Sequence, residues 1–214
     1  MTRPVVLVHG FGSSFAHGWV ETGWVDILGD SGREVIGVDL LGHGDAEKPH
    51  DPAAYADGLM ESVRAVLPGE SVDAIGFSLG AATLLHLAIE DASRFEKLVV
   101  IGIGEHTMRT QSDPEGAGLD ARVFGQLIDA ERNDPVALEA CWKRPHTPLT
   151  ADALGRVQIP TRVITSDGDV LAGDPQPLAD ALGNATVKVL RGIDHFQTPR
   201  DFGCIDAAIQ FLEA

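Results

Sequence analysis

The sequence predicts an α/β protein built on a mostly parallel, six-stranded sheet flanked by helices. Three observations carry this prediction: short β-rich runs recur along the chain, helical patterns separate them, and the runs are apolar without polar alternation. Continuous apolar runs suit strands buried on both faces, and the helices between them supply the right-handed crossovers that parallel strands need.

The runs are PVVLV (4–8), REVIGVDL (33–40), SVDAIGF (71–77), KLVVIGIG (97–104), TRVIT (161–165) and TVKVL (186–190). Asp51-Pro52 opens a helix whose inward face is Tyr55, Leu59, Val63 and Val66. Thr198-Pro199 opens the last helix, with Asp201 at its third position and Phe202, Ile205, Ile209 and Leu212 facing inward. The segment from Leu79 to Glu90 should be the most buried helix, because Leu79, Ala82, Leu84, Leu85, Leu87, Ala88 and Ile89 cover nearly its whole circumference. More than fifty residues separate KLVVIGIG from TRVIT, far more than a crossover requires. Residues 105–158 therefore read as a short helical cap inserted into an α/β core of 1–104 and 159–214, with helical spacing at Leu119 to Ala130 and at Asp134 to Trp142.

Composition narrows the function classes. The chain has 214 residues, 44% of them hydrophobic, which fits one soluble domain with a sizeable core. Its formal charge of -16 repels nucleic acids and anionic membrane surfaces, so neither is expected as a partner. VVLV is too short for a signal-peptide core, and no apolar run approaches about 18 residues, so a cytoplasmic location is expected. Cys141 and Cys204 stand far apart in no metal-ligand spacing and read as reduced, buried small side chains. His17, His50, His106 and His146 likewise form no ligand pattern such as H-E-x-x-H, so no metal is expected. HGFGSS is not G-x-G-x-x-G and no G-x-x-x-x-G-K-[ST] occurs, which argues against a nucleotide or redox cofactor.

The chemistry centres on GFSLG, residues 76–80. A G-x-S-x-G pattern between a strand and a helix makes a sharp turn that holds its serine, here Ser78, in a strained conformation at the carboxyl end of the sheet. The helix that follows directs its N-terminus, with partial positive charge and free N–H groups, at any anion formed there. A serine at neutral pH needs a base, and the base needs an orienting carboxylate. His195, in RGIDHF after the last strand, is placed to be that base. SDGDVLAGD offers Asp167, Asp169 and Asp174 as acids.

VVLVHGFG (5–12), VDLLGHG (38–44), GFSLG (76–80), SDGD (166–169) and GIDHF (192–196), in this order, resemble the α/β-hydrolase fold family over nearly the whole chain. In that family the acid usually ends a G-x-x-D pattern; Ser166 stands here at the glycine position, and the spacing selects Asp169, with Asp167 as the alternative. Asp167-Gly168 suits the tight turn, and Val170-Leu171 would bury the residues beside Asp169. The resemblance further implies that the backbone N–H groups of Phe11 and Leu79 form the oxyanion hole, that His9 fixes its loop by a hydrogen bond, and that His43 is a structural turn histidine. His86, on the buried helix, reads as a satisfied core residue. The antiparallel strands that usually precede the first parallel strand are lacking, so REVIGVDL should lie at a sheet edge, either shielded by N-terminal loops or paired in a homodimer. A short cap implies an open pocket, for which Phe11, Phe77, Trp19, Trp24, Met108, Phe124 and Trp142 are lining candidates, each of which could equally belong to the core, with the tryptophans reading better as core.

The expected activity is that of a cofactor-free serine hydrolase acting on a small, uncharged carboxylic ester through an acyl-enzyme. Lactonase, thioesterase, C–C hydrolase and perhydrolase activities use similar sites on this fold, and GFSLG resembles the elbows of enol-lactonases and perhydrolases. The competing class is a hydrolase-fold protein that binds a small molecule and turns it over negligibly.

Overall fold

A computed structural model describes residues 3–109, 133–145 and 147–214. Six parallel strands form one sheet in the order β2-β1-β3-β4-β5-β6: β1 Val5–Val8, β2 Val35–Val38, β3 Val72–Phe77, β4 Phe95–Ile101, β5 Thr161–Ser166 and β6 Ala185–Leu190. Each expected run contributes one of these strands, and β2 lies at an edge as anticipated. The run 33–40 is trimmed at its start, where Arg33 N–H donates to Leu28 O at 3.0 Å in the preceding helix and the guanidinium forms a buried ion pair with Asp73 on β3. KLVVIGIG stops short of its expected end because Gly102 takes a φ of 68° that no strand continues.

The helices are α1 Trp24–Asp30, α2 Tyr55–Arg64, α3 Leu79–Glu90, α4 Pro135–Trp142, α5 Ala151–Leu154, α6 Gln176–Leu182 and α7 Phe202–Glu213. Alternation along β1 divides the core: Val6 and Val8 face α2, α3, α5 and α6, whereas Val5 and Leu7 face α1 and α7. Helix α3 packs against the sheet with eight of its twelve residues buried, as its all-round apolar sequence requires. The two-sided burial breaks most at the edge strand β6, where Thr186, Lys188 and Val189 reach solvent, and at the start of β4, where Glu96 does.

Two helix-face expectations need correction. Helix α7 begins after an N-cap at Asp201, whose carboxylate accepts from Gly203 N–H, while Thr198–Arg200 forms a separate 3-10 turn. Thr198, Pro199 and the Trp24 indole, which donates to Pro199 O at 2.7 Å, fill the space beneath that end. Phe202 is consequently 82% exposed, and Cys204, Ile205, Ala208 and Leu212 form the inward face. His86 is half-buried, so it belongs to the rim of α3 instead of the core. Elsewhere the pattern holds: Tyr55, Leu59 and Val63 are buried, with Val66 packed against them just beyond the end of α2. The helix expected at Leu119 to Ala130 lies outside the described residues, whereas Asp134-Pro135 starts α4 as anticipated, the Asp134 carboxylate accepting from Val136 and Ala137 N–H. Both cysteines are free and buried; burial pushes the Cys141 thiol up to about 11 and Cys204 further still.

The strand order determines where a site can form. From β1 the chain crosses to β2 on one side, then returns to β3 on the other, so the loops leaving β1 and β3 diverge. In open α/β sheets this divergence opens a crevice at the carboxyl ends of the strands.

Candidate active site

The strand-to-helix turn at the end of β3 places Ser78 in that crevice. Ser78 has φ 51° and ψ -110°, and it alone among the described non-glycine residues has a positive φ. A backbone this unfavourable persists only where its surroundings over-determine it. Ser78 N–H donates to Ile101 O at 2.8 Å, and Ser78 O accepts from Ala82 N–H at the start of α3. The flanking glycines are required by space. A Cβ on Gly76 would lie 2.7 Å from Ala81 N, and one on Gly80 would lie 2.3 Å from Val8 O, so only glycines let α3 descend this closely onto β1 and β3.

His195 reaches the serine from the loop after β6. Its Nε2 is 3.1 Å from Ser78 Oγ, and its Nδ1 is 2.9 Å from both carboxylate oxygens of Asp169. A carboxylate only accepts, so Nδ1 carries the proton and the Nε2 lone pair faces the serine hydroxyl. The Phe77 ring lies against the imidazole at a centroid distance of 4.8 Å, and Phe196 meets it edge-on at 5.2 Å. His195 is 6% exposed.

Asp169 is held at the end of β5. Its Oδ1 accepts from Leu171 N–H at 3.1 Å and Ala172 N–H at 2.9 Å in addition to the imidazole. The sequence expected Val170-Leu171 to bury the residues beside Asp169, but Val170 is 80% exposed; the carboxylate is enclosed by Ala172 and the turn's own N–H groups. Asp167 points elsewhere, accepting from Gly192 N–H at 2.7 Å, and Asp174 accepts from Gln176 N–H beside α6. Of the three acids in SDGDVLAGD, the fold therefore joins only Asp169 to the imidazole.

Opposite His195, the HGFG loop leaves β1. His9 is buried, its Nδ1–H donating to Gly10 O at 2.8 Å and its Nε2 accepting from Leu40 N–H at 3.1 Å, which locks the loop to the chain beyond β2. Burial lowers the His9 pKa and pushes that of His43 down to about 3, so both are neutral structural groups. His43 packs under the Phe11 ring, centroids 5.4 Å apart, with its Nδ1–H on Leu41 O. Leu79, the first residue of α3, has an N–H with no acceptor inside its helix.

The expected lining residues divide. Phe77 lies against the His195 imidazole, and Trp142 meets Phe11 edge-on at 5.6 Å. Met108, in the 3-10 turn Glu105–Met108, packs beside the α2–α3 core, and Phe124 lies outside the described residues. Trp19 and Trp24 pack edge-to-face in the α1–α7 core, on the other side of the sheet.

Two contributors escaped sequence reasoning. Asn133, just before α4, donates from Nδ2 to Gly12 O at 2.6 Å and accepts from Gly44 N–H at 3.4 Å, joining the HGFG and LGHG loops. Asp39 accepts from Phe15 N–H and Asp45 N–H, tying the same two loops from below. Nothing in the immediate sequence around Asn133 signals this, since its partners are about ninety and more than a hundred residues away. Among the described residues, no group of His, Cys, Asp and Glu has the arrangement of a metal site.

The family model of the alpha/beta hydrolase fold matches residues 3–171. The chain belongs to the alpha/beta hydrolase fold family. Within this hydrolase family it is 31% identical over 156 residues to the pimeloyl-[acyl-carrier protein] methyl ester esterase of Neisseria meningitidis, covering 71% of this chain and 55% of that protein. It is also 31% identical over 104 residues to a 2-hydroxymuconate semialdehyde hydrolase of Pseudomonas sp., 46% of this chain and 36% of that one. The chain thus spans about half the length, or less, of these curated relatives. Among solved structures, the hydrolase fold superposes on a bromoperoxidase from Bacillus anthracis with a TM-score of 0.81 at 22% identity, covering 100% of this chain and 93% of that one. Among the described residues, no helix is long and apolar enough to cross a membrane.

Proposed function

We propose that the protein is a serine hydrolase that cleaves small, uncharged carboxylic esters through an acyl-enzyme, with Ser78, His195 and Asp169 as its triad. The observation that carries this reading is the imidazole of His195, hydrogen-bonded on one side to Ser78 Oγ and on the other to Asp169. In this reading, Nε2 takes the hydroxyl proton as Ser78 Oγ attacks the ester carbonyl, and Asp169 stabilises the imidazolium that forms. Proton return from Nε2 to the leaving alkoxide releases the alcohol; water activated by the same nitrogen then frees the acid.

The tetrahedral oxyanion would lie between the N–H groups of Leu79 and Phe11, at the positive end of α3. Each such donor is worth on the order of 100- to 1000-fold in rate. Phe11, Phe77 and Trp142 supply apolar surface for the acyl or alcohol group. Nucleophile, base and acid are all side chains of this chain, so the mechanism calls on no cofactor. The methyl ester esterase among the relatives supports the choice of an ester bond.

Turnover of short nitrophenyl esters, compared with Ser78→Ala, tests the proposal. The expected result is a loss in kcat of about 10⁴-fold or more, together with covalent labelling of the wild type by a fluorophosphonate that the variant lacks. Turnover equal in the two proteins, with tight retention of a small ligand, would overturn it in favour of a binding protein.

A further inference from the structure

The turn that presents His195 is gripped at successive residues from the end of β5. Asp167 Oδ1 accepts from Gly192 N–H at 2.7 Å, and Asp167 N–H donates to Leu190 O at 2.9 Å. Ser166, 5% exposed, donates from its hydroxyl to Ile193 O at 2.8 Å and lies 3.3 Å from the Thr198 hydroxyl, which itself donates to Asp194 O. Gly168 packs so closely that a Cβ there would stand 2.5 Å from Ile193 O. Ser166 occupies the position where the family pattern carries glycine, and a glycine could make neither side-chain contact.

We propose that Ser166 and Asp167 are positioning residues of the site: together they clamp the Gly192–Asp194 turn and so aim the His195 imidazole at Ser78. This rests on the serine-hydrolase reading above. The physical need is plain. An imidazole that must accept a proton from Oγ and also hold Asp169 tolerates displacements of only a few tenths of an ångström, yet it sits on a loop after an edge strand. A main-chain N–H and a main-chain carbonyl within four residues of His195 are tied to Asp167 and Ser166, in the turn that carries Asp169 and at the end of β5 just before it. The segment SDGD then acts as one device: its first two side chains hold the histidine's loop, and its last holds the histidine.

Asp167 is exposed, so its substitution spares the core and offers the clean test. Ester turnover by Asp167→Ala is expected to fall about tenfold or more in kcat with KM within about twofold of the wild type. Asp167→Asn, whose amide oxygen still accepts from Gly192, is expected to restore most of that loss. Ser166→Gly should likewise lower kcat more than KM, and if it folds poorly the Asp167 pair decides. A kcat for Asp167→Ala within twofold of the wild type, or an asparagine variant as slow as the alanine one, overturns the clamp. Absence of turnover and of fluorophosphonate labelling in the wild type itself would instead defeat the serine-hydrolase reading, so the two failures are distinguishable.

Discussion

At the scale of single residues, GFSLG is a packing solution before it is a chemical one. The space available at Gly80 is set by main-chain atoms that cannot swing aside, with Val8 O only 2.3 Å from where a Cβ would stand. Gly80→Ala is therefore expected to destabilise the fold by about 1–3 kcal/mol or more in chemical denaturation. Gly29, exposed in α1 with nothing within 4 Å of its would-be Cβ, makes the contrast: Gly29→Ala should raise stability by about 0.5–1 kcal/mol. The buried histidines link stability to pH. His43 has a folded-state pKa of about 3 against an ordinary 6.5, and burial lowers His9 in the same direction. Between those values the unfolded chain binds the proton and the folded one does not, so this contribution is complete above about pH 6.5 and is lost as pH falls toward about 3. Denaturation midpoints should drop across that interval, with a slope of up to about 1.4 kcal/mol per pH unit for each histidine. In His43→Gln the slope should flatten; an unchanged slope would show that other groups dominate.

At the scale of elements, helix α4 braces the loop assigned to the oxyanion. Asn133 at its start holds Gly12 and Gly44, while Trp142 at its end meets the Phe11 ring. His50 adds an exposed contact to the N-cap, Asp134, and its hydrogen bond is the leading reason that the Asp134 carboxyl lies below its usual range. Asn133→Ala leaves the Gly12 carbonyl and the Gly44 N–H without this partner, and is expected to cost on the order of 1 kcal/mol in unfolding free energy. Because Gly12 adjoins Phe11, kcat for ester hydrolysis should fall more than KM rises. Equal kcat in the variant and the wild type would separate α4 from the oxyanion loop. How much of this was legible in the sequence differs from one feature to the next. Asp134-Pro135 announced where α4 begins, because an N-cap and a proline act locally. The partners of Asn133 could not be read, because they arrive from two other loops.

For the whole molecule, a charge of -16 spread over one small domain gives the crevice a negative surrounding field. An uncharged ester should therefore show a higher kcat/KM than the same ester bearing a distal carboxylate. The gap should narrow as salt rises from about 0.01 to 1 M, since screening shortens the Debye length from about 30 to 3 Å. A gap insensitive to salt would place the discrimination in local contacts instead. The strand runs, the strand-to-helix turn that carries Ser78 and the cap of α4 were determined by the sequence alone, because each rests on interactions among residues near one another along the chain. Tertiary structure alone brought the Asp169 carboxylate to the imidazole and the Asp167 carboxylate to Gly192, turned Phe202 outward, and gave Ser166 and Asn133 their partners. Those outcomes depend on distances between segments remote in sequence, and such distances exist only once the sheet has brought the loops to one end.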